Sequence, residues 1–173
     1  MDIDVIKEQI CDVCHKMWQL GWVAANDGNV SAKLDDGTIL ATPTGMSKSF
    51  ITPDKLIRID AKGNVLEAAE GLRPSSEIKM HLRCYDKRDD VMLLENHGAL
   101  AVGSDVITAF YRMESLELWA KITINAVILG GSHDIDEKNI QKLIDLRSYY
   151  RITGRHPGYK VYNPDDEMLH KKD

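Results

Sequence analysis

Two serines and a glutamate stand in a row behind a proline in LRPSSEIKMH, residues 72–81, where an apolar-periodic segment begins. A helix start leaves backbone N–H groups unpaired and carries a partial positive charge. Ser75 or Ser76 can cap those groups, and both hydroxyls can also hold an anion such as a phosphate there. A capping box places its acid three residues after the cap, whereas Glu77 follows Ser75 by two. A cap therefore accounts for one serine. It leaves the other serine and Glu77 for a site with an acid or base beside an anion. His81, one helical turn beyond Glu77, falls on the same face and reads as a structural partner.

Three further polar stretches interrupt regular segments. In NDGNVS, residues 26–31, Gly28 removes a side chain and Asn29 supplies an amide, so a ligand can approach the backbone; the plain alternative is a turn. In TPTGMS, residues 42–47, Thr44 offers a hydroxyl and Gly45 an unobstructed N–H at a strand end. In ENHGAL, residues 95–100, His97 stands directly after the apolar run VMLL, a place suited to a metal ligand or an acid–base group. Cys11 and Cys14 form a C-x-x-C inside a helical pattern, on a face shared with Ile10, Val13 and Met17. With no second such pair they read as buried thiols acting as small hydrophobes.

The elements that must position these residues follow from periodicity. Ile6, Ile10, Val13, Met17 and Leu20 predict an amphipathic helix closed by Gly21. NVSAKL and TILAT flank Asp35-Asp36-Gly37 as a hairpin, and LIRID and NVLEA bracket Ala61-Lys62-Gly63 as a second. Pro74 introduces a helix over 75–85. VMLLENHGALAVG reads as a buried strand broken at 96–98. A long helix is expected from Asp105 to Leu129, with Ile107, Phe110, Met113, Leu116, Ala120, Ile124 and Val127 near one face, then a last helix over 136–149 and a loop-like tail. These elements predict one α/β domain over residues 1–173, layered α-β-α around a central, largely antiparallel sheet.

The chain of 173 residues carries a net charge of −5, which argues against a general nucleic-acid binder. Its 43% hydrophobic and 28% charged residues are ordinary for a globular protein, and its three cysteines do not make a disulfide framework. The N-terminal stretch has no secretory pattern and no apolar run is long enough to span a membrane, so the expectation is a cytoplasmic protein with no membrane partner.

GNVS, TPTG, PSSE and ENHG, in that order, resemble the class II aldolase/adducin family, and within it the bacterial branch that cleaves L-fuculose 1-phosphate; the likeness runs from the first helix to about Tyr150. The resemblance implies a zinc-dependent aldehyde-lyase, with another divalent metal as an alternative. It would cleave a ketose 1-phosphate reversibly to dihydroxyacetone phosphate and an aldehyde. On that likeness Gly28, Asn29, Thr44, Gly45, Ser75 and Ser76 match the pocket for the substrate phosphate. Glu77 matches the catalytic acid/base, able to approach the metal, and His97 matches a zinc-ligating histidine. It also implies a homotetramer with sites at subunit interfaces, which Tyr149, Tyr150 or Tyr159 would be placed to reach.

One part of the pattern has no counterpart. The family's histidine-x-histidine strand should follow the PSSE helix, yet HLRCYDKRDDV runs straight into MLLENHGAL, as though a segment were missing between Val91 and Met92. His97 and Glu77 supply two donors where catalytic zinc takes about three. Two other functions fit the same likeness: a sugar-phosphate epimerase or dehydratase, and a non-catalytic adducin-like scaffold.

Overall fold

The computed structural model describes residues 2–86 and 91–151. They fall in two compact units, one ending at Thr123 and the other starting at Ile124. In the first unit, helix α1, Ile3–Gln19, begins at Asp2, whose side chain accepts from the Asp4 N–H at 3.0 Å. Its apolar stripe buries Ile6, Ile10 and Val13 together with Cys11 and Cys14, while Leu20, expected on that stripe, is exposed just past the helix end. Burial pushes the Cys11 thiol up to about 11 and the Cys14 thiol up to about 12, as expected of thiols used as hydrophobes.

Four short strands follow: β1, Ser31–Lys33; β2, Ile39–Ala41; β3, Ile57–Ile59; and β4, Val65–Glu67. They form an antiparallel sheet in chain order, with Ser31 opposite Ala41, Ala41 opposite Ile57 and Arg58 opposite Glu67. Both expected hairpins are therefore present. Arg58 reaches across to the first turn, donating from Nε to Thr38 Oγ1 at 3.0 Å and pairing with the Asp36 carboxylate.

Successive side chains of a strand point to opposite faces, and β2 uses both. Leu40 packs with Ile6, Ile10, Val13, Cys14, Ile51 and Leu56 on the α1 side. Ile39 and Ala41 join Ile57 and Ile59 on the other side, against Ile78, Leu82 and Tyr85 of helix α2, Ile78–Asp86. The sheet thus lies between α1 and α2, the layered α-β-α arrangement the sequence predicted. Truncating a fully buried isoleucine such as Ile57 to alanine costs about 2–5 kcal/mol, and α2 rests directly on that cluster. The helix whose start carries Ser75, Ser76 and Glu77 is seated by core packing.

Strands β5, Val91–Leu94, and β6, Gly98–Ala101, pair as an antiparallel hairpin with Leu94 opposite Gly98. The expectation of a buried strand is corrected here. Leu93 and Ala99 are exposed, and among the described residues the hairpin is a two-stranded sheet with no third strand to cover it. Helix α3, Val106–Ile128, starts where Asp105 accepts the Thr108 N–H at 2.7 Å. Only Val106 and Phe110 of α3 are buried, and Leu118, Trp119 and Ile122 are exposed in the first unit. In the second unit, helix α4, Glu137–Tyr149, matches the expected last helix, and the exposed Tyr149 and Tyr150 rings meet edge to face at 4.9 Å. The tail from residue 152, with Tyr159, lies outside the described residues.

Candidate active site

The loop between α1 and β1 is fixed by its own backbone. Gly28 adopts φ +75°, and a Cβ there would meet Val23 Cγ1 at 2.6 Å, so a side chain is excluded by both conformation and space. The neighbouring Val30 exchanges bonds with Thr42: Thr42 N–H donates to Val30 O at 3.0 Å, and Val30 N–H donates to Thr42 Oγ1 at 3.2 Å. This pins the Gly28-Asn29 loop to the end of β2, where the Thr44-Gly45 stretch begins.

That stretch is tied in turn to the serines. Pro43 and Pro74 form a bridge, and Thr44 N–H donates to Arg73 O at 3.0 Å. Ser75 Oγ accepts the Glu77 N–H at 3.3 Å and Ser75 O accepts the Ile78 N–H at 3.2 Å, so Ser75 shapes the turn into α2. Ser76 is exposed, and its hydroxyl makes no bond within the protein among the described residues. The division foreseen in the sequence, one serine for the turn and one to spare, is the arrangement in the structure.

Glu77 is the meeting point. One carboxylate oxygen accepts from the Asn29 side-chain amide, and Oε1 lies 3.2 Å from His97 Nε2. His97 sits in the β5–β6 turn, where its N–H donates to Leu94 O at 3.1 Å after Asn96 in a left-handed conformation, φ +54°. The His97 and Glu77 side chains are 53% and 36% exposed, so a ligand can reach both. Gly28, Asn29, Thr44, Ser75, Ser76, Glu77 and His97 line one cavity of about 860 Å³ within the first unit. Gly45, at φ +73° with open space at its Cβ position, is next to Thr44 but not on the cavity wall.

Behind Glu77 lies a buried polar cluster that the sequence reading assigned no role beyond a structural partner at His81. Ser31 Oγ stands 2.8 Å from His81 Nδ1 and 2.7 Å from Tyr85 Oη. Burial pulls the His81 pKa below its usual value, against the opposing charge of Glu77, and pushes the Tyr85 phenol up to about 12. Lys48 is wholly buried, its Nζ donating to Met46 O at 2.9 Å and Asn26 O at 3.4 Å. Sequence gives little warning of either feature, because hydroxyls and lysines usually sit in water.

Glu77 and His97 are the metal-capable side chains that meet at the site, and among the described residues no three His, Cys, Asp or Glu side chains gather as a metal would require. Two donors already engaged with each other do not fit a catalytic zinc ion, which takes about three protein ligands. His133 stands beyond the end of α3 in the second unit, and His156 and His170 lie outside the described residues.

The class II aldolase and adducin N-terminal domain model matches residues 8–92 and 86–124, two pieces that overlap over residues 86–92. An L-fuculose phosphate aldolase of Methanocaldococcus jannaschii is 26% identical over 177 residues, a match taking 68% of this chain and 95% of that protein. A methylthioribulose-1-phosphate dehydratase of Gluconacetobacter diazotrophicus is 35% identical over 98 residues, which take 57% of this chain; the chain spans only 44% of that relative's length. The solved structure of an aldolase II superfamily protein from Pseudomonas syringae superposes with a TM-score of 0.73 at 16% identity, over 95% of this chain and 92% of that one, and shares the fold. No helix among the described residues is long and apolar enough to cross a membrane. With the family model taking in well over half of the residues, this chain belongs to the class II aldolase and adducin family.

Proposed function

We propose that this protein binds a small phosphorylated ketose and moves a proton at a carbon next to its carbonyl, the step that underlies reversible cleavage of a ketose 1-phosphate. The substrate class is one like L-fuculose 1-phosphate, giving dihydroxyacetone phosphate and an aldehyde. One observation carries the reading: the Glu77 carboxylate is held between the Asn29 amide and His97 on the wall of a cavity that also presents the unbonded Ser76 hydroxyl.

In this reading Ser76, Thr44 and the backbone around Gly28 receive the phosphate near the start of α2, where the helix end favours negative charge. Anchoring at the phosphate positions the sugar with binding energy drawn from a group remote from the reacting carbon. Glu77 takes the proton as general base and returns it as general acid. Asn29 holds one carboxylate oxygen so that the other faces the cavity and His97. Members of the family generally use a divalent metal as Lewis acid. Among the described residues, Glu77 and His97 alone do not amount to a zinc site. The two-piece family match supports the view that this chain lacks a segment between Val91 and Met92 that would carry further ligands. A homotetramer in the cytoplasm goes with the aldolase reading.

The similarity to a methylthioribulose-1-phosphate dehydratase supports a second reading, in which the same proton abstraction expels a hydroxyl instead of breaking a carbon–carbon bond. The shortage of metal donors supports a third, a scaffold that keeps the fold without turnover. The purified protein, treated with zinc, is to be assayed on L-fuculose 1-phosphate and on a 5-substituted ribulose 1-phosphate. Release of dihydroxyacetone phosphate supports the aldolase, whereas water loss or epimerisation without cleavage overturns it. Phosphate binding with no turnover and no retained zinc turns the assignment to the scaffold.

A further inference from the structure

Among the described residues of the first unit, Lys48 is the one cation that the core encloses completely: it is 0% exposed, at the start of a short 3-10 turn, Lys48–Phe50, packed under α1. Its Nζ has two protein partners, both backbone carbonyls. Met46 O, at 2.9 Å, belongs to the stretch that follows Thr44 and Gly45, and Asn26 O, at 3.4 Å, belongs to the loop that leads into Gly28 and Asn29. Among the described residues no carboxylate comes within ion-pair distance of it.

A buried ammonium without a counter-ion is expensive, and such groups are normally paired. Here burial is the main influence pulling the Lys48 pKa down, opposed by its interactions with Cys14 and with the carboxylates of Asp27 and Glu77. Asn26, whose carbonyl accepts from Lys48, lines the cavity together with Asp27 and Glu77, so Lys48 stands behind the wall that faces the ligand. Lys48 is not itself on that wall. It can act on a ligand through the two loops it joins and through its charge, which burial leaves weakly screened.

We propose that Lys48 is the positioning residue of the anion pocket: its buried ammonium clamps the Asn26–Asn29 loop to the Thr44–Met46 stretch and supplies the positive charge that a bound phosphate meets. The proposal rests on the sugar-phosphate reading given above and deepens it. It explains why a lysine, and not an apolar side chain, is buried under α1: the missing counter-ion is the ligand's phosphate.

The test is calorimetric titration of the full chain with inorganic phosphate and with dihydroxyacetone phosphate, set beside unphosphorylated dihydroxyacetone. Lys48→Met should weaken both phosphorylated ligands by about tenfold or more and leave the unphosphorylated one unchanged. Amide hydrogen exchange should rise at residues 26–29 and 44–46 and stay unaltered in β2 and β3. Lys48→Gln keeps a donor for the carbonyls and drops the charge. It should preserve the exchange pattern while still losing phosphate affinity, and it decides the matter should Lys48→Met not fold. Wild-type protein that binds no phosphate overturns the sugar-phosphate reading and this proposal with it. Wild-type protein that binds phosphate, with Lys48→Gln binding it equally well, overturns this proposal alone.

Discussion

Glu77 Oε1 lies 3.2 Å from His97 Nε2, joining the turn that opens α2 to the turn of the β5–β6 hairpin. The carboxylate's second oxygen accepts from Asn29, so three separate loops converge on one side chain. An acid fixed in this way has its orientation set before substrate arrives, which is the condition for efficient proton transfer.

Glu77→Gln removes the proton acceptor and keeps the shape and the bond from Asn29. Turnover should fall by about 10²–10⁴-fold, while inorganic phosphate affinity changes by less than about threefold. Steady-state kinetics beside calorimetry reads both. Unaltered turnover would remove Glu77 from the mechanism.

The two serines should separate. Ser76→Ala deletes a hydroxyl without a protein partner, so thermal stability should hold while phosphate binding weakens by about tenfold, the worth of one charge-assisted bond. Ser75→Ala deletes the acceptor of the Glu77 N–H and should lower unfolding free energy by about 1 kcal/mol. Equal weakening by Ser76→Ala toward an unphosphorylated analogue would contradict its phosphate role.

Gly28→Ala forces a Cβ to within 2.6 Å of Val23 Cγ1 at a backbone angle that side chains disfavour. The expected loss is about 1–3 kcal/mol, read by urea denaturation, together with weaker phosphate binding as the loop shifts. A fully stable Gly28→Ala protein would mean that the loop takes another conformation.

His81 makes stability depend on pH. Burial holds its folded pKa below the unfolded value of 6.5, so the unfolded state binds a proton first as pH falls. Its contribution is therefore complete above pH 6.5 and lost progressively below it, down through the folded pKa. Denaturation midpoints from pH 8 to pH 5 should show this decline, and His81→Asn should reduce the slope. An identical slope in the variant would assign the acid sensitivity elsewhere.

The pattern of residues along the chain was enough for the hairpins, for α1 and for the presence of α2, though that helix begins at Ile78 and not at Ser75, because strand alternation, turn glycines and helical periodicity are local signals. It was enough, too, to single out Glu77 and His97 and to expect that one of Ser75 and Ser76 would be spare, since a turn uses one hydroxyl. The hairpin character and exposure of residues 91–101 were not legible: an apolar run such as VMLL reads as buried unless one knows that, among the described residues, no third strand lies beside it. The burial of Lys48 and the bridge from Ser31 to His81 and Tyr85 were equally hidden.

Sequence alone determined which side chains with acid, base or hydroxyl chemistry are present and which local turns present them, for those choices are made within a few residues. Only the tertiary structure decided that Asn29, Glu77 and His97 touch, that Lys48 is sealed behind their loops, and that among the described residues no third metal-capable side chain joins Glu77 and His97. Contacts between residues far apart in the chain depend on how core packing seats each element, and that information lies in the packed whole.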